Sequence, residues 1–289
     1  HHPPHRILAT SYDSEEEVYK KYPDARDIIH QIRQMSGAHA SRILAFNVDA
    51  GALHKCDAVT GTNKSDQRRW SKVWFGFPHV GAGHKDEHRN VLANQLLILR
   101  FLISVAPYLT EGPLPGAIQG RKRRAASEDD EDDEEPIEAA DDEPDVSATS
   151  VPPRRQGSVL ITIRNVVPYT LWNIPMLGKR LRDVLQPIAA SAPSPPKGIR
   201  APTVSDVDKN GAQYVLWRSF EFVPSDWPGY SHRRTVGFVE GLSTSHNEDL
   251  LRRPTQPPQQ GQPSGRHVGT GECRTYEFCL LYTSPSPRD

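Results

Sequence analysis

Apolar residues fall into short blocks separated by longer polar or mixed stretches, and each block ends in a charged or turn-forming residue. Ile7 to Ser11 leads to Asp13, RILAFNV (42–48) to Asp49, and Ser71 to Phe77 to the loop FPHVG. Such runs predict buried strands. GSVLITIR (157–164), YVLWRSFEFV (214–223), Thr235 to Glu240 and the strand-like RTYEF within 271–278 continue the series. Between the first two blocks, SEEEVYKKYPDARDIIHQIRQM predicts helix, with Ser14 as cap, acidic residues in the first turn and an interruption at Pro23. Asn90 to Leu109 places Leu92, Leu96, Leu99, Leu102, Ile103 and Ala106 at the spacing of a helix buried along a broad face. Residues 50–70 are polar and carry one short helix, and PYTLWNIPMLGKRLRDVL starts as a turn and continues as helix. Strand alternating with helix predicts an α/β fold with a doubly wound, mostly parallel sheet. The strands at 214–223 and 235–240 are expected to close it as an antiparallel hairpin across SDWPGYSHRR.

Two stretches break this pattern. Arg121 to Gln156 joins the basic cluster RKRR to an acidic run, and residues 253–270 are rich in Pro, Gln and Gly. Neither buries enough apolar surface to offset its ordering entropy, so both read as disordered inserts. The chain then divides into 1–120 and 157–252 as two parts of one domain, the two inserts, a last strand at 271–278, and a tail, 279–289, expected to be foreign to the fold. RKRR (121–124) also reads as a nuclear-import signal and Ser127 as an acidophilic kinase site.

A net charge of -1 over 289 residues excludes a globally basic nucleic-acid binder. Cys56, Cys273 and Cys279 are odd in number and lack CxxC spacing, which argues against a disulfide framework or a zinc knuckle. LLILRFLISVAPYL (96–109) is too short for a bilayer and is broken by Arg100, so it reads as a buried helix and no membrane segment is expected.

Ligands in open α/β sheets sit at the carboxyl ends of strands. A carboxylate there, such as Asp13, can accept from both hydroxyls of a ribose, although an Asp after a strand also serves as a turn former or helix cap. His79 is a candidate base or orienting donor, or else it caps its own loop. His79, His84 and His88 as metal ligands lack the HExxH glutamate and a third firm ligand, so no metal is expected. Trp227, Tyr230, His232, Arg233 and Arg234 combine rings that can stack on a splayed base with cations that can meet phosphate, although a plain turn around Pro228 and Gly229 accounts for the same composition. Tyr169 and Trp172 either line a base pocket or, for Trp172, fill the core. A dinucleotide-dependent oxidoreductase is disfavoured because GxGxxG is absent.

ILATSYDSEEEVYKKYPDA, ILAFNVDAGAL, FPHVG with KDEHRNVLANQLLILRFLISVAPYL, VLITIRNVVPYTLWNIP and WPGYSHRRTVGF together resemble the eukaryotic large-subunit rRNA (uracil-N3) methyltransferases of the fungal nucleolar type. The resemblance implies a Rossmann-like fold and transfer of a methyl group from S-adenosyl-L-methionine to N3 of a uridine in large-subunit rRNA or the pre-ribosome, in the nucleolus of the nucleus. It implies that Asp13 meets the ribose, that Asp49 and Ala50 flank the adenine, and that Phe77, Pro78 and His79 face the methyl group and the target base. The family's first strand and its GEGxFSF-type loop are expected to lie before His1, and Gly76 stands where the family commonly has Asn. A non-catalytic methyltransferase-like RNA-binding or ribosome-assembly factor is the rival reading.

Overall fold

The computed structural model describes residues 4–37, 42–63, 67–81, 86–116, 155–194, 198–230, 232 and 273–281. The first strand, β1 (Ala9–Thr10), pairs in parallel with β2 (Leu44–Ala45). Between them, α1 (Glu15–Lys21) begins at Ser14, whose side chain accepts from the Glu17 N–H, and Pro23 separates it from α2 (Ala25–Ser36). After β2 a 3-10 segment, Ala50–Lys55, leads into the short α3 (Asp57–Thr60).

A second sheet holds four strands in the order β3 (Lys72–Gly76), β4 (Ser158–Arg164), β6 (Cys273–Leu280), β5 (Tyr214–Glu221). β3 and β4 are parallel, and β6 runs antiparallel to both β4 and β5. The fold is therefore mixed α/β. Because β3, β4 and β5 point the same way, the loops that follow them meet at one carboxyl edge.

Two expectations change. β5 takes β6 as its described antiparallel partner, while residues 235–240, expected to form that hairpin, lie outside the described residues. The tail boundary at 279 is corrected, because Cys279 and Leu280 belong to β6, Cys279 is fully buried, and the Leu281 N–H bonds the Gln213 carbonyl at 2.7 Å. A strand that buries Thr275 and Glu277 among its apolar residues is fixed by the partners on both its sides rather than by its own pattern.

One face of the four-stranded sheet is apolar. Val73 and Phe75, Val159, Ile161 and Ile163, and Phe278 and Leu280 pack against α4 (Glu87–Val105), α5 (Ile174–Lys179) and α6 (Leu181–Ser191). Phe75 meets Phe101 edge-on, with ring centroids 4.7 Å apart. A further helix, α7 (Val204–Asn210), begins at a capping box of Thr203 and Asp206. α4 and the 3-10 turn after it, Glu87 to Tyr108, are long and apolar enough to cross a membrane by length and composition, but most of that stretch is buried inside the protein. It is the central core helix.

The opposite face carries the polar rows. Lys72, Trp74 and Gly76 lie across from Ser158, Leu160 and Thr162, which face Cys279, Glu277 and Thr275. Glu277 is fully buried and accepts from Lys72 Nζ (2.5 Å), Ser158 Oγ (2.6 Å) and Arg218 Nε (2.8 Å). Burial alone would raise its pKa, but those bonds outweigh it and hold the carboxyl below its usual range. A buried charge persists here because it is fully partnered.

Residues 116 and 155 mark where the chain leaves and re-enters the described structure. The two sides are stitched together: Gln156 N–H bonds the Pro113 carbonyl (3.1 Å), Gly157 N–H the Thr110 carbonyl (2.8 Å), and Thr110 Oγ1 the Arg155 carbonyl (3.0 Å). The expected insert, 121–156, lies outside the described residues except for Arg155 and Gln156, as does 253–270.

Candidate active site

Three loops converge at the carboxyl edge. The first is FPHVG after β3. Phe77 adopts a left-handed backbone (φ 51°), its N–H bonds the Thr162 carbonyl at 2.8 Å, and Pro78 is buried. The turn is held from below by Asn94 on α4, which is 1% exposed and accepts from the Val80 N–H at 2.9 Å. His79 is half-buried, and its Nδ1 accepts from the Gly81 N–H at 2.9 Å. A backbone donor aimed at Nδ1 requires a lone pair there, so the neutral ring carries its proton on Nε2. Burial lowers the His79 pKa, which favours that neutral ring.

The second loop follows β4. Arg164 ends the strand, and a 3-10 turn, Tyr169–Trp172, leads to Asn173, whose side chain accepts from the Met176 N–H to start α5. Trp172 is fully buried, which settles it as a core residue, and its carbonyl accepts from Gln95 Nε2 at 3.3 Å. The third loop follows β5 and carries Phe222, Trp227, Tyr230 and His232.

Ring contacts tie the three loops into a crown. Phe77 meets His232 edge-on at 4.4 Å and Phe222 at 5.8 Å. Tyr169 meets Trp172 at 5.2 Å, and Trp172 meets His79 at 6.2 Å. The Arg164 guanidinium lies 5.7 Å from the centre of the Tyr169 ring. Burial, with the Arg164 charge as a second cause, lowers the His232 pKa to about 4. Tyr230 is pushed up by burial, with its Oη 3.2 Å from His232 Nδ1. On the outer side Trp227, 53% exposed, stacks on Phe222 and on Trp74, itself 46% exposed, with centroids 5.9 Å apart in both pairs. A hollow lined by Glu87, His88, Val91 and Leu171 opens beside the crown.

Phe77, Pro78, His79, Tyr169, Tyr230 and His232 are thus brought together, with Trp227 at the rim. Arg233, Arg234 and His84 lie outside the described residues, and His88 is an exposed position on α4. Asp13 and Asp49 belong to the other sheet. Asp13 accepts from Lys21 Nζ at 2.8 Å through both oxygens. Asp49 caps the following turn through the Gly51 N–H (2.8 Å) and pairs with Arg100 (2.8 Å). Its carboxylate is committed to the fold, so what this corner offers a ligand is the main chain of Asp49 and Ala50. Asn94, Gln95 and Arg164 went unread in the sequence. The signal for the first two is a pair of polar residues inside an otherwise apolar helix face.

The family model described as rRNA (uridine-N3-)-methyltransferase BTM5-like matches residues 1–234. The chain belongs to this family. Among curated proteins, the 25S rRNA (uridine(2634)-N(3))-methyltransferase of Saccharomyces cerevisiae is 24% identical over 242 residues, which cover 79% of this chain and 58% of that protein. The chain thus spans little more than half the length of the curated relative it matches. No solved structure matches it. The family match takes in every element from β1 to the loop after β5, so all three crown loops are family territory up to Arg234.

Proposed function

We propose that the protein methylates N3 of a uridine in large-subunit rRNA, with S-adenosyl-L-methionine as the methyl donor. The observation that carries this reading is the crown itself: neutral donors and one cation gathered with aromatic rings at the carboxyl edge of a sheet, in a chain of this family. Uracil N3–H is an imide acid about as weak as a Tyr phenol, with a pKa of ~10. Its loss spreads negative charge onto the two flanking carbonyl oxygens. A site for this reaction needs donors aimed at those oxygens more than it needs a strong base. His79, with Nδ1 occupied by the Gly81 N–H, offers Nε2–H as such a donor. Trp227, Tyr230, His232 and Tyr169 supply ring faces for the splayed base and its neighbours.

The methyl donor supplies a carbon bound to a positively charged sulfur, which an electron pair can displace. Asp13 is suited to hold its ribose: the side chain is partly exposed, and an ionised carboxylate keeps acceptor capacity beyond its bond to Lys21. The main chain of Asp49 and Ala50 is suited to the adenine edge. A nucleolar location accompanies the substrate.

The decisive experiment incubates the protein, as this chain and as a chain extended upstream of residue 1, with a large-subunit rRNA fragment and isotopically labelled methyl donor. Nuclease digestion with mass spectrometry then identifies the product. Label in 3-methyluridine is the expected result. Tight RNA binding without 3-methyluridine from either chain would replace this reading with that of a non-catalytic assembly factor.

A further inference from the structure

Arg164 is the feature of the crown that the fold leaves unexplained. It is half-buried at the end of β4, directly across from Cys273, and among the described residues no carboxylate pairs with it. Arg100 pairs with Asp49 and Arg218 with Glu277, while the partly buried Arg68 and Arg274 donate to the neutral oxygens of the Ala58 carbonyl and the Ser219 hydroxyl. The groups facing Arg164 are the Tyr169 ring on its own loop, His232 on the loop after β5, and the Cys273 thiol on β6. His79 and Tyr230 complete the titratable groups of the crown. Burial lowers the pKa of His79 and of His232 and raises that of Tyr230, which favours the neutral form of each. A half-buried guanidinium with no carboxylate beside it among the described residues is a place for an anion to arrive.

We infer that Arg164 is the catalytic cation that stabilises the deprotonated uracil ring during methyl transfer. This rests on the reading of the protein as a uridine-N3 methyltransferase. The N3–H proton passes to water, the pair left on N3 forms the new bond to the methyl carbon, and the carbon–sulfur bond of the donor breaks with its pair returning to sulfur. Between the first and last of these events the base is an anion whose charge sits on N3 and the two carbonyl oxygens. The guanidinium fork donates to one of those oxygens and His79 Nε2–H donates to another. Tyr169 fixes the plane of the guanidinium by stacking. The same arrangement selects uracil over cytosine, because cytosine has no N3 proton to lose and presents an amino group where uracil presents an oxygen acceptor.

The test reads the ionisation of the base directly. RNA carrying 5-fluorouridine at the target is bound to the protein without methyl donor and titrated by fluorine NMR. With the wild-type chain the N3 titration is expected to fall by about one to two pH units relative to free RNA, the size of shift a nearby opposite charge produces. Arg164→Gln should return it to the free value and Arg164→Lys should leave it between. In single-turnover methylation at neutral pH, Arg164→Gln should lose roughly 10- to 100-fold on uridine, following that shift at tenfold per pH unit. It should lose much less on 5-fluorouridine, whose N3–H is already more acidic. A normal melting temperature in Arg164→Lys separates a chemical defect from an unfolded one. If wild-type and Arg164→Gln give the same N3 titration, the inference is overturned even where wild-type makes 3-methyluridine. A variant that only weakens RNA binding and flattens its salt dependence, with no rescue by 5-fluorouridine, would likewise overturn it in favour of a phosphate contact.

Discussion

The bond from the Gly81 N–H to His79 Nδ1 makes a prediction that separates two chemistries for one residue. If His79 acts through Nε2–H, then His79→Ala removes one donor to an oxygen that is neutral in bound uridine and anionic in the transition state. A bond to a neutral acceptor contributes ~0.5–1.5 kcal/mol, and one to a charged acceptor ~1.5–3 kcal/mol. The full loss should appear as a fall of about 10- to 150-fold in kcat/KM, of which the part made only in the transition state, ~1–1.5 kcal/mol, lowers the single-turnover rate at saturating RNA by about 5- to 13-fold. His79→Gln, which keeps an N–H donor at comparable reach, should recover part of it. Because burial lowers the His79 pKa, the ring is already neutral at pH 7 and stays so above it. The wild-type rate should then rise steadily toward the N3 pKa without a histidine inflection, and His79→Ala should run parallel below it. A histidine inflection in the wild type that disappears in His79→Ala would refute the donor role and make His79 the base.

Asp13→Ala should weaken methyl-donor binding in the upstream-extended chain by ~1.5–3 kcal/mol by calorimetry, while its partly exposed pair with Lys21 puts less than ~1 kcal/mol of stability at risk; unchanged affinity would remove Asp13 from the site. His232 has a folded pKa of about 4, below its unfolded value of ~6.5, so the unfolded chain binds more protons between those values. Its contribution to stability is complete above pH 6.5 and is lost as pH falls toward 4, by at most about 3.5 kcal/mol at ~1.4 kcal/mol per pH unit; urea melts of wild type and His232→Leu should converge in acid, and parallel curves would contradict this. Replacing residues 117–154 with a short Gly/Ser linker should leave the melting temperature within a few degrees, because residues 110–113 and 155–157 are already hydrogen-bonded to one another; loss of folding would make the insert part of the core.

Much of the fold was legible because its period is local. The cap at Ser14, the break at Pro23 and the buried stripe of α4 are written in adjacent residues, and the structure follows them. β6 was harder: RTYEFCLL alternates poorly, and its place between β4 and β5 is decided by partners more than a hundred residues away for β4 and about sixty for β5. α7 was missed because its signal is a capping box inside a Pro-rich stretch. At the site, FPHVG stood out through its unusual residues, but which nitrogen of His79 is free depends on the Gly81 N–H, a backbone direction that no residue pattern encodes. Arg164 was invisible for a related reason. An arginine at a strand end is ordinary until it is seen that no carboxylate among the described residues pairs with it.

A single helix ties the crown loops to the turn after β2. At its N-terminal half α4 grips the loops after β3 and β4, through Asn94 to Val80 and Gln95 to Trp172. Farther along it grips the 3-10 segment after β2, through Arg100 to Asp49 and Ser104 to the Leu53 N–H. Asn94 and Arg100 are six positions apart, about 9 Å along the axis at ~1.5 Å per residue. Every one of these anchors is a polar side chain in a helix otherwise packed by Leu, Ile and Phe; Asn94, Gln95 and Ser104 are buried and Arg100 nearly so, which makes their bonds costly to lose. Methyl transfer needs two reactants held in line, and misplacement by an ångström is enough to lose much of the rate. Under the proposed function, the polar residues of α4 are where the fold keeps the two reactants aligned, and this accounts for a helix that is not apolar throughout although it lies at the centre of the core.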